Sequence, residues 1–183
     1  MEEVSQILVQ AYMSRRIVFL FGNGGSAALA SHFACDLGKG TVNGSAERFR
    51  VLALTDNVPL MTAWANDSKY EDIFAEQLTN FARPEDVAFA ISGSGNSPNI
   101  LRALQLAKQT RLTTVGLTGF AGGKMKELCD VCMIVPSNNM QLIEDMHLCV
   151  AHALYTSVRL MMHESDPVHQ SVGPRILSRA SAK

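Results

Sequence analysis

Five short apolar runs, separated by segments long enough to form helices, limit what this chain can fold into more than any other feature. The runs occupy residues 17–21, 51–54, 87–91, 113–117 and 131–135. Strands that are apolar along their whole length are typical of a parallel sheet covered on both faces, because every side chain is then buried. The sequence therefore predicts an α/β fold with a doubly wound, five-stranded parallel sheet flanked by helices, of the Rossmann-like, flavodoxin-like kind.

The sequence predicts one domain over residues 1–163, with a helical segment at each end of this domain. Apolar residues recur at three- and four-residue spacing over residues 4–12, which predicts a helix before the first strand. The longest predicted helix, from about residue 140 to 163, has no strand after it, so its apolar stripe needs another surface, such as a second subunit. Residues 164–183 are expected to form a poorly ordered tail or an arm over a neighbour, and residues 39–48 an exposed loop.

Charge and hydropathy indicate which binding partners and which cellular compartment to expect for this protein. Sixteen basic and seventeen acidic residues give a formal charge of -1, which indicates no footprint for nucleic acid or an anionic membrane. No uncharged apolar stretch reaches membrane-spanning length, and the amino terminus lacks the basic start and apolar core of a signal peptide. We therefore expect a cytoplasmic protein whose partner is a small molecule or another protein.

The four cysteines lie within apolar, periodic segments, at positions Cys35, Cys129, Cys132 and Cys149. This distribution fits a reducing cytosol and predicts buried structural thiols. The spacing of Cys129 and Cys132 leaves redox or zinc chemistry as an alternative, although no second pair with this spacing follows.

A glycine-rich loop follows the first apolar run, over Gly22, Asn23, Gly24, Gly25 and Ser26. Glycines let the backbone approach a ligand closely, and the free amides at the start of the next helix favour an anion. A phosphate or polyol site is one interpretation of this loop. The other is a tight strand-to-helix turn that uses glycine for geometry alone.

A second polar loop follows the third run and places three hydroxyls, from Ser92, Ser94 and Ser97, at the start of the next helix. Hydroxyls and backbone amides bind a phosphate monoester without a large basic patch, which agrees with the nearly neutral composition. The alternative is that Ser97 only caps the helix while the other serines are solvated. Two polar loops at the carboxyl ends of strands in one sheet favour a shared ligand crevice.

His32 and Asp36 are four residues apart on a predicted helix and therefore share one face. This spacing lets both side chains meet one ion or one substrate, whereas the alternative is a surface His–Asp pair. His147, among apolar neighbours, is expected to be a satisfied core or interface group.

Several separate motifs together resemble the phosphoheptose isomerases, a family with the sugar isomerase (SIS) fold. The matching segments run in order through residues 22–26, 32–37, 66–67, 92–99, 117–124 and 143–152. The resemblance implies a SIS domain, a homotetramer with sites at subunit interfaces, and conversion of sedoheptulose 7-phosphate to D-glycero-D-manno-heptose 7-phosphate through an enediol. It covers residues 17 to 163.

The resemblance also implies roles for individual residues. Acid–base catalysis is assigned to Asp36 and His152, and a metal, often zinc, to His32, Asp36, Glu144 and His152. Substrate contacts are assigned to Asn23, Gly24, Gly25, Ser26, Asp36, Asn66, Asp67, Ser92, Gly93, Ser94, Ser97 and Glu144.

The chain departs from the family pattern at Asp36, where the best-known members carry Glu, and at Glu144, where many carry Gln. Gly93 stands where Thr is common and Lys39 where Arg is usual, and the amino-terminal helical region is shorter. An isomerase of another sugar phosphate is therefore the first alternative. The second is a non-catalytic SIS protein that binds protein partners, like the replication-initiator-associating relatives, although the four acid–base and metal positions favour chemistry.

Glu144 and His152 are eight residues apart on one predicted helix. That spacing corresponds to a rise of roughly 12 Å along the helix axis, and the two side chains point in directions that differ by roughly 80° about that axis. One small ligand is hard to reach from both residues. If both belong to one site, as the resemblance implies, we expect that site to combine copies of this helix from two subunits. The alternative is a lone buried helix within one subunit.

Overall fold

The computed structural model describes residues 1–42 and 47–164. Its sheet consists of five parallel strands in the order β2-β1-β3-β4-β5. The strands are β1 (Val18–Gly22), β2 (Val51–Ala53), β3 (Val87–Ser92), β4 (Thr113–Gly119) and β5 (Val131–Val135). The prediction of a doubly wound, flavodoxin-like sheet is confirmed.

Seven α-helices are present in the described part of the chain, together with two short helical turns. The helices are α1 (Glu2–Met13), α2 (Gly25–Cys35), α3 (Val58–Asp67), α4 (Ala75–Phe81), α5 (Pro98–Gln109), α6 (Met125–Leu128) and α7 (Met140–Glu164). A π-helical turn, Asp36–Gly40, extends α2, and a 3₁₀ turn, Tyr70–Asp72, lies between α3 and α4.

The core consists of two apolar clusters, one on each face of the sheet. On one face, α1, α2 and α7 pack against the sheet through residues such as Leu8, Phe33 and Leu154. On the other, residues around α4 and α5, such as Phe74 and Leu104, pack against Phe19 and Phe21. Strands β1 and β3 are buried throughout, as their continuous apolar runs predict, whereas the edge strand β5 is only partly buried.

The sheet order reverses between β1 and β3, which lie side by side although β2 separates them in sequence. Gly22, the last residue of β1, pairs in register with Ile91 near the end of β3. The loops that follow these two strands therefore meet at the topological switch point, where open α/β sheets bind ligands.

Two sequence expectations are wrong in detail. The cysteines are not buried: Cys35 and Cys149 are exposed, and Cys129 and Cys132 are half-buried. Lys39 and Gly40, expected in an exposed loop, belong to the π-helical turn. The predicted tail lies outside the described residues except for Glu164, which ends α7. No described helix is long and apolar enough to cross a membrane.

Candidate active site

The glycine-rich and serine-rich loops meet through a pair of asparagines. The side-chain amide of Asn23 donates to Oδ1 of Asn99 at 2.9 Å, and that of Asn99 donates back to Oδ1 of Asn23 at 2.8 Å. The hydroxyl of Tyr70 also donates to Oδ1 of Asn23, at 3.2 Å. The sequence alone does not assign Asn99 or Tyr70 to the site, because they are 76 and 47 residues from Asn23 and meet it only in the folded chain.

The serine-rich loop forms a polar cradle at the start of α5. Ser92 Oγ accepts a hydrogen bond from the Gly95 amide at 3.2 Å and lies 3.5 Å from Ser97 Oγ. Ser97 occupies the N-cap position, but its side chain makes no capping hydrogen bond. Its hydroxyl is therefore not committed to the plain cap that the sequence left open, and it is available to an anion at the helix start.

A third loop, after β4, forms hydrogen bonds with the serine-rich loop that makes up this cradle. The Met125 amide donates to the Gly95 carbonyl at 3.0 Å, and the Lys124 amide donates to Oδ1 of Asn96 at 3.1 Å. Gly95 adopts a φ of 64°, and a Cβ atom there would collide with the Gly122 carbonyl. Glycine is thus required at position 95 both by conformation and by space.

A second polar group lies at the far end of α2, where His32, Asp36 and His152 come together. The Nε2 atoms of His32 and His152 are 3.0 Å apart. Asp36 Oδ2 lies 3.4 Å from His32 Nε2 and 3.9 Å from His152 Nε2. Helical spacing predicted the approach of His32 and Asp36, and the family resemblance assigned His152 to the same metal set. His152 comes from α7, 120 residues away from His32.

These three side chains fit a divalent cation by their donor types and positions. One ligand atom from each residue lies within 4.8 Å of the others. Asp36 Oδ2 is shielded from solvent and has no hydrogen-bond partner, so it lacks the compensation that a buried carboxylate oxygen needs. Imidazole nitrogens and one carboxylate are a donor set that zinc accepts, with a further position left open for a substrate.

Glu144 is outside this three-residue cluster. A Cβ atom on Gly25 would lie 3.1 Å from both oxygens of the Glu144 carboxylate, which places this carboxylate at the beginning of α2. Glu144 and His32 line the same cavity, with a volume of about 270 Å³. Within one subunit, His32 therefore lies between Glu144 on one side and His152 on the other.

His147 lines the same cavity and was interpreted incorrectly from the sequence. It is 1% exposed, as a core histidine should be, but neither ring nitrogen has a hydrogen-bond partner of good geometry among the described residues. Burial lowers the pKa of His147, and the nearby Thr118 backbone and the Glu144 carboxylate only partly offset this effect. The environment of this imidazole in the cavity wall therefore favours its neutral form. Its position one helical turn after Glu144 was the signal available in the sequence.

Helix α7 crosses the whole site and covers glycine positions along it. Met140 lies over Gly93, where a Cβ atom would be 2.5 Å from its sulfur, and Ile143 lies over Gly119. At its other end, the Tyr155 hydroxyl donates to the Gly40 carbonyl at 3.1 Å. The helix thus connects the cradle to the His–Asp cluster.

The remaining residues expected to bind substrate lie at the end of α3, or in the first loop and the first turn of α2. Asn66 and Asp67 are exposed at the end of α3, where the Asn66 amide donates to Asp67 Oδ1 at 2.8 Å. Gly24 is exposed with a φ of 54°, and Ser26 is buried in the first turn of α2.

Comparisons with known proteins agree with this geometry. The family model described as SIS domain matches residues 1–119. A phosphoheptose isomerase of Paramagnetospirillum magneticum is 44% identical over 157 residues, which cover 86% of this chain and 81% of the relative. One of Aliarcobacter butzleri is 40% identical over 154 residues, covering 84% and 81%.

Solved structures show the same relationship. The phosphoheptose isomerase from Neisseria gonorrhoeae has a TM-score of 0.79 at 30% identity and covers 86% of this chain and 83% of its own. The enzyme from Francisella tularensis has a TM-score of 0.79 at 26% identity, with coverages of 87% and 84%. By family model, sequence and fold, this chain is a SIS-domain protein that belongs to the phosphoheptose isomerase family.

Proposed function

We propose that the protein is an aldose–ketose isomerase that converts sedoheptulose 7-phosphate into D-glycero-D-manno-heptose 7-phosphate. The observation that carries this proposal is the convergence of His32, Asp36 and His152 at one end of α2, while the phosphate-type cradle lies near its beginning. The relatives named phosphoheptose isomerase supply the substrate class.

The cradle at the start of α5 is proposed to bind the phosphate. Ser92, Ser94 and Ser97 offer hydroxyls there, the backbone of Gly93 offers an amide, and the positive end of the α5 dipole adds an attraction for the anion. The sugar hydroxyls are proposed to contact the residues at the rim of the crevice, namely Asn23, Gly24, Gly25, Ser26, Asn66, Asp67 and Glu144.

The distance along α2 suits a substrate whose reacting carbons are far from its phosphate. His32 is seven residues after Gly25, which corresponds to roughly 10 Å along the helix axis. In a 7-phosphoketose, C1 and C2 lie at the opposite end of the carbon chain from the phosphate. A substrate whose phosphate lies near the beginning of α2 is therefore long enough to place C1 and C2 beside the His–Asp cluster.

The reaction needs one group to move a proton between carbons and one to move a proton between oxygens. Asp36 is proposed to remove a proton from C1 while His152 protonates the C2 carbonyl oxygen, which gives the enediol. His152 then takes the proton of the C1 hydroxyl and Asp36 returns its proton to C2, which completes the aldose. The partly buried position of Asp36 keeps water away from this carboxylate during the exchange.

Zinc is proposed as a cofactor held by His32, Asp36 and His152, with Glu144 of a neighbouring subunit as a fourth ligand, because Glu144 of the same subunit lies outside this cluster. When bound, it orients the open-chain sugar and stabilises negative charge on the substrate oxygens. A ligand atom that binds zinc is not available for proton transfer at the same time, so a chelator distinguishes the two uses of Asp36 and His152.

The quaternary structure is proposed to be a homotetramer with sites at subunit interfaces. Helix α7 leaves Leu142, Met146, Leu148 and Leu160 exposed, from 39% to 59%, whereas Leu154 and Val158 are buried in the subunit. Leu142, Met146 and Leu160 share one face of the helix, and exposed apolar residues of this kind are typical of a surface that another subunit covers. Four free cysteines also agree with a reducing cytoplasm as the proposed location.

One assay tests the proposed function. Ketose phosphates that differ in chain length are incubated with the purified protein, with and without a chelator, and aldose formation is followed. We expect the highest turnover with sedoheptulose 7-phosphate, and loss of activity in chelator if zinc is required. Faster turnover of a shorter ketose phosphate would support another sugar phosphate, and the absence of turnover with every ketose would overturn the isomerase assignment.

A further inference from the structure

A second reactive group lies at the opposite end of the sheet from the isomerase site. Cys129 follows directly after α6, and Cys132 is the second residue of β5, where it pairs in register with Gly116 of β4. A Cβ atom on Gly116 would lie 2.8 Å from the Cys129 sulfur and 3.0 Å from the Cys132 sulfur. The two thiols therefore converge on the same space above a residue that has no side chain.

The turn between the two cysteines is fixed by hydrogen bonds to the neighbouring strand. The Asp130 amide donates to the Thr114 carbonyl at 2.9 Å, and the Thr114 amide donates to Asp130 Oδ2 at 2.8 Å. The Thr114 hydroxyl also lies 2.9 Å from this oxygen. These bonds hold Cys129 and Cys132 at one location, so their proximity is built into the fold.

The two thiols differ in acidity. A hydrogen bond from the Cys129 thiol and the positive charge of Lys126 lower the pKa of Cys132, although burial opposes them. The same hydrogen bond, together with burial and the charges of Cys132 and Asp130, raises the pKa of Cys129. Cys132 is therefore the more acidic thiol of the pair and Cys129 the less acidic one, an asymmetry that suits a dithiol with one attacking and one resolving sulfur.

The position of the pair also suits this role. Both cysteines are half-buried, so neither is enclosed in the core. Strand β5 is the edge strand of the described sheet, with β4 as its neighbour, so the pair lies at the border of the sheet and not in its centre.

We propose that Cys129 and Cys132 form a redox-active dithiol that a low-molecular-weight disulfide oxidises to an intramolecular disulfide. The Cys132 thiolate attacks one sulfur of the small disulfide, whose other sulfur leaves as a thiolate. Cys129 then gives its proton to the first small thiolate and attacks the Cys132 sulfur, which expels a second small thiolate. This thiolate takes up the proton that Cys132 released to water on ionising. Counted from the dithiol, the protein loses two electrons and two protons, and the small disulfide gains them as two thiols.

Oxidised glutathione is the probe that tests this inference. The Cys35→Ser/Cys149→Ser protein, which lacks the two exposed cysteines, is incubated with oxidised glutathione, quenched in acid, alkylated, and weighed as an intact protein. We expect a product lighter by two hydrogen atoms that takes up no alkyl group, and that returns to two alkylated thiols after reduction. Two thiols that remain alkylated after oxidation, or a stable glutathione adduct in place of the disulfide, would overturn the proposal.

Single variants in the same background test the order of the two steps. Cys129→Ser should stop at a mixed disulfide of Cys132 with glutathione, because the resolving thiol is absent. Cys132→Ser should react more slowly than Cys129→Ser, because Cys129 keeps its burial and the charge of Asp130, which disfavour its thiolate, whereas Cys132 keeps the positive charge of Lys126 and can accept a hydrogen bond from the new hydroxyl. Equal rates would contradict the assigned roles. Alanine replaces serine in any variant whose near-UV circular dichroism shows a lost fold.

Discussion

His32 and His152, from α2 and α7, place their Nε2 atoms 3.0 Å apart, with the Asp36 carboxylate beside both. At this separation the two nitrogens either share one proton or bind one cation. Both arrangements fix the orientation of His152 toward Asp36. The contact therefore relates the last helix of the described chain directly to the proposed chemistry.

Asp36→Asn should lower turnover by about a hundredfold or more, because the amide keeps the shape of the carboxylate but cannot exchange a proton. The variant should fold, since Asp36 is partly exposed and Oδ2 makes no hydrogen bond. Steady-state kinetics with sedoheptulose 7-phosphate measure the change, with the exposed Glu127→Gln as a matched control. A folded Asp36→Asn protein with turnover near that of the wild type would remove Asp36 from the mechanism.

Ser97→Ala should weaken phosphate binding and leave turnover nearly unchanged. Its hydroxyl makes no capping hydrogen bond, so helix α5 does not depend on it. A hydrogen bond to a charged group contributes about 1.5–3 kcal/mol, so KM should rise about tenfold or more. Thr110→Ala, at the other end of α5, is the control.

A crystal soaked with the substrate should show the phosphate at the serine-rich cradle. Density for it at a distant basic site would refute the assignment.

Gly119→Ala should destabilise the fold more than Gly93→Ala, although both glycines lie under α7. A Cβ atom on Gly119 would lie 2.7 Å from two side-chain carbons of the buried, β-branched Ile143, whereas one on Gly93 meets the flexible end of Met140. Overpacking a rigid contact costs about 1–3 kcal/mol. Urea unfolding measures both variants, and an equal loss of stability would show that Met140 cannot move aside.

Asp72→Asn should lower the free energy of unfolding at neutral pH. Hydrogen bonding from Ser68 and the charge of Arg102 keep the pKa of this largely buried carboxyl below its ordinary value of 3.8. The stabilisation is therefore present above pH 3.8 and is lost as the pH falls through the lowered pKa. Urea unfolding at several pH values, with the exposed Glu71→Gln as control, should show a difference that shrinks only in acid. No difference from the control at neutral pH would contradict this role.

The shared-site proposal is tested by mixing two inactive proteins, Glu144→Ala and His152→Ala, under conditions where subunits exchange. If one site takes these residues from different subunits, some mixed sites regain both groups and activity returns. Isotope-labelled subunits and native mass spectrometry confirm the exchange. Confirmed exchange without recovered activity would place Glu144 and His152 of each site in the same subunit.

The sequence by itself determined the fold class and half of the site. Continuous apolar runs are a local pattern, and burial on both faces of a parallel sheet is the arrangement that satisfies them. Loops after such strands must emerge at one edge of the sheet, so the two polar loops were predictable from their order alone. The approach of His32 and Asp36 followed from helical periodicity, because residues four apart share a face.

Only the tertiary structure decided which distant residues complete the site. The direction of α7 across the sheet brings His152 to His32, leaves Glu144 at the start of α2, and buries His147 without a hydrogen-bond partner. The same holds for Cys129 and Cys132, whose sulfurs meet because Gly116 on another strand leaves room. Local periodicity fixes the face on which a side chain lies, whereas the packing of side chains between elements fixes what that face meets.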